Sequence, residues 1–131
     1  MFVDASAAIS ILSGEEDAAA LAARLDTAPV VLMSPMSIYE TVAGLARKRQ
    51  CPIEEALAMV DFFIAETSAT IVDIDDKTGR IAILAFAKFG KGRHPADLNM
   101  GDCFAYACAQ VHSVALLYNG DDFVHTDISK A

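Results

Sequence analysis

Four short apolar segments, each parted from the next by stretches of helical period, constrain this chain more than anything else in it. They are Phe2-Val3, Val30-Val31-Leu32-Met33, Ala69 to Ile74 and Val114 to Tyr118. Val, Ile, Phe and Tyr fit the pleated, half-buried surface of a sheet. Between them, residues 5–13 and 15–26 read as helices, the second opened by Glu15, Glu16 and Asp17, acids that suit a helix N-terminus. Ser37, with Glu40 three residues later, has capping-box spacing. In the helix that follows, Ile38, Val42, Leu45 and Ala46 recur at i, i+4, i+7 and i+8. Another helix starts near Pro52 and shows Ile53, Ala56, Leu57, Val60, Phe63 and Ile64 on one face. Residues 76–89 form the next helix, 90–100 a loop, and Gly101-Asp102 opens a last helix to about His112. The tail from His125 to Ile128 is expected to add a short edge strand. Strands alternating with helices predict an α/β fold: a short, mostly parallel sheet with helices on both faces. A length of 131 residues suits a single domain over 1–131.

With 54% hydrophobic residues the chain has ample apolar surface for a core. It has no run of about 18 apolar residues, so no spanning helix and no membrane partner are expected. An acid at Asp4 and no basic stretch before an apolar core argue against a signal peptide. The cysteines, Cys51, Cys103 and Cys108, are odd in number and form no C-x-x-C pair, which speaks against a disulfide framework and for a reducing, cytoplasmic setting; Cys103 and Cys108, in an apolar helical pattern, read as small core residues. His94, His112 and His125 show no ligand spacing. The net charge is −8, from 18 acids and 10 bases. Nucleic acid held by phosphate neutralisation alone calls for a basic protein. Any such role here therefore needs a local basic patch or a bound cation. Six of the ten bases cluster, as Arg47-Lys48-Arg49 and as Lys88, Lys91 and Arg93. They read either as cations complementing helix C-termini or as phosphate contacts, and the two roles are compatible.

Most of the acids, Glu15, Glu16, Asp17, Glu54, Glu55, Asp75 and Asp76 among them, read as solvated surfaces or helix starts. Four positions stand apart. Asp4 closes an apolar strand; it either caps the next helix or serves a site. Glu40 is either the capping-box partner of Ser37 or a site residue with room beside Gly44. Asp102 opens an otherwise apolar helix, as a dipole acid or as a ligand. Asp121-Asp122 follow a hydrophobic strand, in a turn or in a site. In open parallel sheets, sites form beyond the carboxyl ends of the strands, and Asp4, Asp121 and Asp122 fall there, with Glu40 and Asp102 at helix starts. Carboxylates gathered at one poorly solvated edge raise each other's pKa. A hard divalent cation relieves that, and oxygen ligands without His or Cys suit Mg²⁺ or Mn²⁺. Asp73-x-Asp75 fits the letters of a phosphatase motif but lacks its Thr/Val context.

The segments M-F-V-D-A-S-A, S-P-M-S-I-Y-E, L-N-M-G-D-C-F-A-Y-A and L-L-Y-N-G-D-D-F with H-T-D-I, in this order along the whole chain, resemble a PIN domain. More narrowly they resemble the VapC toxins, ribonucleases of bacterial toxin–antitoxin pairs. The resemblance implies a three-layer α/β/α fold and a Mg²⁺- or Mn²⁺-dependent endoribonuclease. It implies an acidic cluster of Asp4, Glu40, Asp102 and one of Asp121 and Asp122, with the metal on Asp4 and Asp102. Ser6 resembles the small hydroxyl residue that supports the first Asp. A VapB-like antitoxin, an RNA substrate and a homodimer are the implied partners, and Phe62, Phe63 and Phe86 are apolar residues available to a second copy. An inactive PIN-like binding module is the alternative; the retained acids favour the enzyme.

Overall fold

Two residues per strand suffice for this sheet, because each strand offers one side chain to either face. In the computed structural model, which describes residues 1–131, β1 (Phe2–Val3), β2 (Leu32–Met33), β3 (Thr70–Ile71) and β4 (Leu116–Leu117) run parallel in the order β3-β2-β1-β4. Phe2 pairs with Leu32 and Leu116, Val3 with Leu117, and Leu32 with Thr70. Register thus sorts the core. Phe2, Leu32 and Leu116 share one apolar cluster with Ala82, Phe89, Cys108 and Tyr106. Val3, Met33 and Leu117 share the opposite one with Ala7, Ala8, Leu21 and Phe63. A third cluster joins Val42 and Leu45 to Ala56 and Val60. The result is helix, sheet and helix in three layers.

The helices are α1 (Ala5–Ser13), α2 (Ala18–Asp26), α3 (Pro35–Arg49), α4 (Ile53–Glu66), α5 (Asp76–Phe89) and α6 (Met100–Val111). Three local expectations need correction. First, α2 starts at Ala18, not at Glu15. Gly14 closes α1 in the left-handed conformation, φ 67°, and the Glu15 N–H donates to Ser10 O at 3.1 Å. Glu15 thus belongs to the close of α1, and the chain turns through 16–17 before α2 begins. Second, the capping box of α3 is Ser34 with Ser37, Pro35 standing at the first helical position, so Glu40 is not a cap partner. Third, the tail makes no strand over His125–Ile128; it turns there and meets the sheet only at a Leu116–Lys130 bridge. Asp75, expected at a helix start or solvated surface, is both: exposed, and the N-cap of α5, accepting from the Thr78 N–H at 2.8 Å. Cys103 and Cys108 are buried, and all three cysteines are free. No helix is long and apolar enough to cross a membrane.

Candidate active site

The chain leaves β1 for β2 and β3 on one side of the sheet, then crosses to β4 on the other. The crevice at this switch lies beyond the carboxyl ends of β1 and β4. Asp4 stands at the end of β1 and caps α1, only 4% exposed. Its Oδ2 accepts from the Ser6 N–H at 2.9 Å and from the Ser6 hydroxyl, and Oδ1 takes no side-chain donor. The Ser6 Oγ in turn accepts from the Asn119 N–H at 3.0 Å, tying the first acid to the segment that follows β4. Burial pushes the Asp4 carboxyl above the usual range; the Ser6 bonds oppose that and the Asp122 charge adds to it.

Asp102 stands in the first turn of α6. Its Oδ2 accepts from the Asn99 N–H at 2.8 Å, while the Asn99 side chain accepts from the Asp102 N–H at 3.0 Å. This capping box fixes the carboxylate and leaves Oδ1 free. Burial first, and then the charges of Asp4, Asp122 and Glu40, push Asp102 up to about 7. Glu40, half-buried in α3, is pushed up to about 6, again by burial and then by Asp4. Asp122 is exposed and lines the same cavity of about 360 Å³ as Asp4, Glu40 and Asp102.

Four of the five sequence candidates thus come together. Asp121 does not: it faces solvent outside the cavity wall, and Asp122 is the acid of the G-D-D-F block that lines it. A second correction concerns Gly44. The space beside it is taken by Ile9 from α1, not by Glu40. Glu40 has its room at Gly101, where a Cβ would overlap the Glu40 carboxylate. Gly101→Ala is therefore expected to push Glu40 from its place and slow turnover about 100-fold. Its melting temperature should stay within a few degrees, since the Glu40 side chain can swing aside. A cleavage assay with a melting curve checks this.

The donor set fits a hard divalent cation. All candidates are carboxylate oxygens, two of them keep one oxygen off the scaffold, and the charges of Asp4, Asp122 and Glu40 add to burial in raising the proton affinity of Asp102. No three of these groups stand close enough to hold an ion by themselves. That suits Mg²⁺, which keeps several waters and uses one or two carboxylates together with phosphate. One cation also lines the cavity, Arg47 from the last turn of α3. The other clustered bases serve the scaffold or lie elsewhere. Lys48 pairs with Glu15, Arg49 donates to Leu12 O, Lys88 pairs with Asp127 at 2.7 Å, and Arg93 stacks on Phe86. Sequence reasoning missed Tyr39 and Asn119 at this edge. The exposed aromatic beside Glu40 was the available signal for the first; nothing in the Asn119-Gly120 turn announced the second.

Residues 1–129 match the family model described as PIN domain. A VapC ribonuclease of Rhizobium meliloti is 42% identical over 139 residues, covering 97% of this chain and 98% of that protein. Ribonuclease VapC42 of Mycobacterium tuberculosis is 38% identical over 132 residues, covering 100% of this chain and 98% of that protein. Among solved structures, VapC20 of Mycobacterium tuberculosis, a sarcin-ricin loop cleaving toxin, superposes with a TM-score of 0.77 at 16% identity, over 99% of this chain and 97% of that one. A toxin–antitoxin complex from Klebsiella pneumoniae gives 0.70 at 19% identity, over 96% and 92%.

Proposed function

The chain belongs to the PIN domain family, and from that premise we propose that it is the ribonuclease toxin of a toxin–antitoxin pair. The observation that carries this reading is the gathering of Asp4, Glu40, Asp102 and Asp122 around one cavity beyond the sheet edge. In a chain of charge −8, such a cluster handles an anionic strand only with a cation between them.

Asp4 and Asp102 would hold Mg²⁺, with Mn²⁺ as a substitute. When bound, the ion supplies an acidified water and offsets charge on the phosphate. The chain's own residues do the rest. Ser6 and the Asn99 amide fix the two carboxylates, so little rearrangement is needed as the substrate enters. Glu40, raised to about 6, is ionised at neutral pH yet basic enough to accept the proton of the attacking water. As the water oxygen bonds to phosphorus, the bond to the leaving ribose oxygen breaks, and that oxygen takes a proton from solvent water to leave as a hydroxyl. Asp122 adds negative charge at the exposed mouth, strengthening the hold on cations.

Mg²⁺ should permit cutting of single-stranded RNA, and a chelator should stop it. Cleavage that survives full chelation would contradict the metal reading; no cleavage with Mg²⁺ or Mn²⁺ would contradict the enzyme.

The partners are a VapB-like antitoxin and a second copy of the chain. Of the phenylalanines expected to meet that copy, Phe63 is a core residue, 5% exposed, and is corrected to the interior. Ile83, Phe86 and Met100 are exposed and flank an apolar groove of about 600 Å³ between α5 and α6. A dimer covering that groove should scatter light with twice the chain mass, and Ile83→Asp should reduce it to the mass of one chain. A parent of single-chain mass at micromolar concentration would contradict the dimer.

A further inference from the structure

Lys48 and Arg49, the two cations that follow Arg47 at the end of α3, are used by the scaffold: one pairs with Glu15, the other donates to Leu12 O at 3.2 Å. Either also complements the helix dipole. Arg47 makes no ion pair and no hydrogen bond within the chain, and it is the one cation on the wall of the acidic cavity. Beyond the helix dipole, which all three complement, it has no structural duty in a place where unlike charge abounds. Tyr39 is the second unexplained residue. It is 73% exposed, its hydroxyl has no partner, and it lines the same cavity beside Glu40. An aromatic ring left in water at the rim of a site is a stacking surface.

The spacing joins them. Tyr39, Ala43 and Arg47 stand at i, i+4 and i+8, which places them on one face of α3. Tyr39 and Arg47 are about 12 Å apart along the helix axis, from the rise per residue. Between them Ala43 is small and exposed and lines the cavity too, so nothing blocks the face. A cation, a low step and an aromatic ring, side by side with four carboxylates, match a nucleotide strand: phosphate on the cation, base on the ring.

Resting on the ribonuclease reading, we infer that the Tyr39–Ala43–Arg47 face of α3 is the track that holds single-stranded RNA, with Arg47 binding a phosphate beyond the scissile one and Tyr39 stacking on a base. Arg47 works through its guanidinium, which offers a planar fork to phosphate oxygens. It acts by binding and positioning, outside the bond-breaking step. The track gives a globally acidic chain the local attraction for RNA that its net charge denies it. It also sets which nucleotides flank the cut, because the ring and the cation line the same cavity as the carboxylates.

The test is steady-state cleavage of a short single-stranded RNA with Mn²⁺, using the full chain. Arg47→Ala should raise KM about tenfold with kcat within about twofold, and Arg47→Lys should recover part of the loss. Against log salt, the slope of log kcat/KM should flatten by about 0.7, the share of one phosphate on a single strand. Tyr39→Ala should raise KM about tenfold without changing that slope, and Tyr39→Phe should behave as the parent. All four should melt with the parent, as neither side chain bonds to the fold. Lys91→Ala, an exposed cation off the cavity, is the charge-matched control and should leave KM unchanged. Arg47→Ala with the parent's KM and salt slope, in a preparation that cuts RNA, overturns the track and leaves the nuclease standing. The same result with lost antitoxin binding assigns the face to the protein partner and overturns the track as well. A parent that cuts no RNA under any metal overturns both readings.

Discussion

Asp4→Asn is expected to lower metal-dependent RNA cleavage by about a thousandfold or more while the protein melts at or above the temperature of the parent. Both halves follow from the position of this side chain. Asp4 is buried at the end of β1, and that burial, with the Asp122 charge adding to it, already holds its pKa up, so its charge costs stability when no cation is present. Asparagine removes the charge and keeps an oxygen for the Ser6 N–H; Asn and Asp cap helices about equally well. What is lost is a charged ligand at the point where the phosphate must be neutralised, and losses of that kind run to several kcal/mol in the barrier. Asp4→Ala separates the two effects. It should be equally inactive but less stable, by about 1 kcal/mol, because α1 loses its cap. Cleavage rates beside thermal melts check this. An Asp4→Asn protein that folds normally and cuts at the parental rate would remove Asp4 from the chemistry.

The second large effect is on stability without metal. Asp102 is raised to about 7 and Glu40 to about 6, and Asp4 is raised too, all first by burial. An unfolded chain holds these groups near 4. Between about pH 4 and 7 the folded state therefore binds more protons than the unfolded one. Stability contributed by these acids is full below about pH 4 and is lost as pH rises through 6 to 7. The chelated protein should accordingly melt lower at pH 8 than at pH 5.5. Asp102→Asn should flatten that dependence and stabilise the chelated protein at pH 8 by about 1–3 kcal/mol, a range reduced for the partial solvent access of the cavity. Millimolar Mg²⁺ should raise the melting point of the parent at pH 8 and leave Asp102→Asn nearly unmoved. A chelated parent equally stable at both pH values would show that the carboxylates do not gather in solution.

Much of this was legible in the sequence because the signals are local. The alternation of apolar runs and helical periods gave the order and the parallel sheet, since each two-residue strand still carries one side chain for each layer. Asp4, Glu40 and Asp102 stood out as acids at strand ends or in apolar helices. What escaped was set by contacts distant along the chain or by competition for single amides. The start of α2 moved because the Glu15 N–H closes α1. The space for Glu40 lies at Gly101, 61 positions on, where no local pattern could announce it. Asp121 and Asp122 are adjacent and alike in composition. Only the turn after β4, which brings Asp122 to the cavity wall and leaves Asp121 off it, separates them.

The central claim is that these carboxylates form a cation site, and calorimetric titration with Mn²⁺ at pH 7 in two buffers of different ionisation heat tests it most directly. The account predicts binding that releases protons, because Asp102 is about half protonated at that pH before the ion arrives. It also predicts that the binding heat disappears in Asp4→Asn. Binding of equal strength in Asp4→Asn, or a parent that takes up Mn²⁺ without releasing protons, would contradict it.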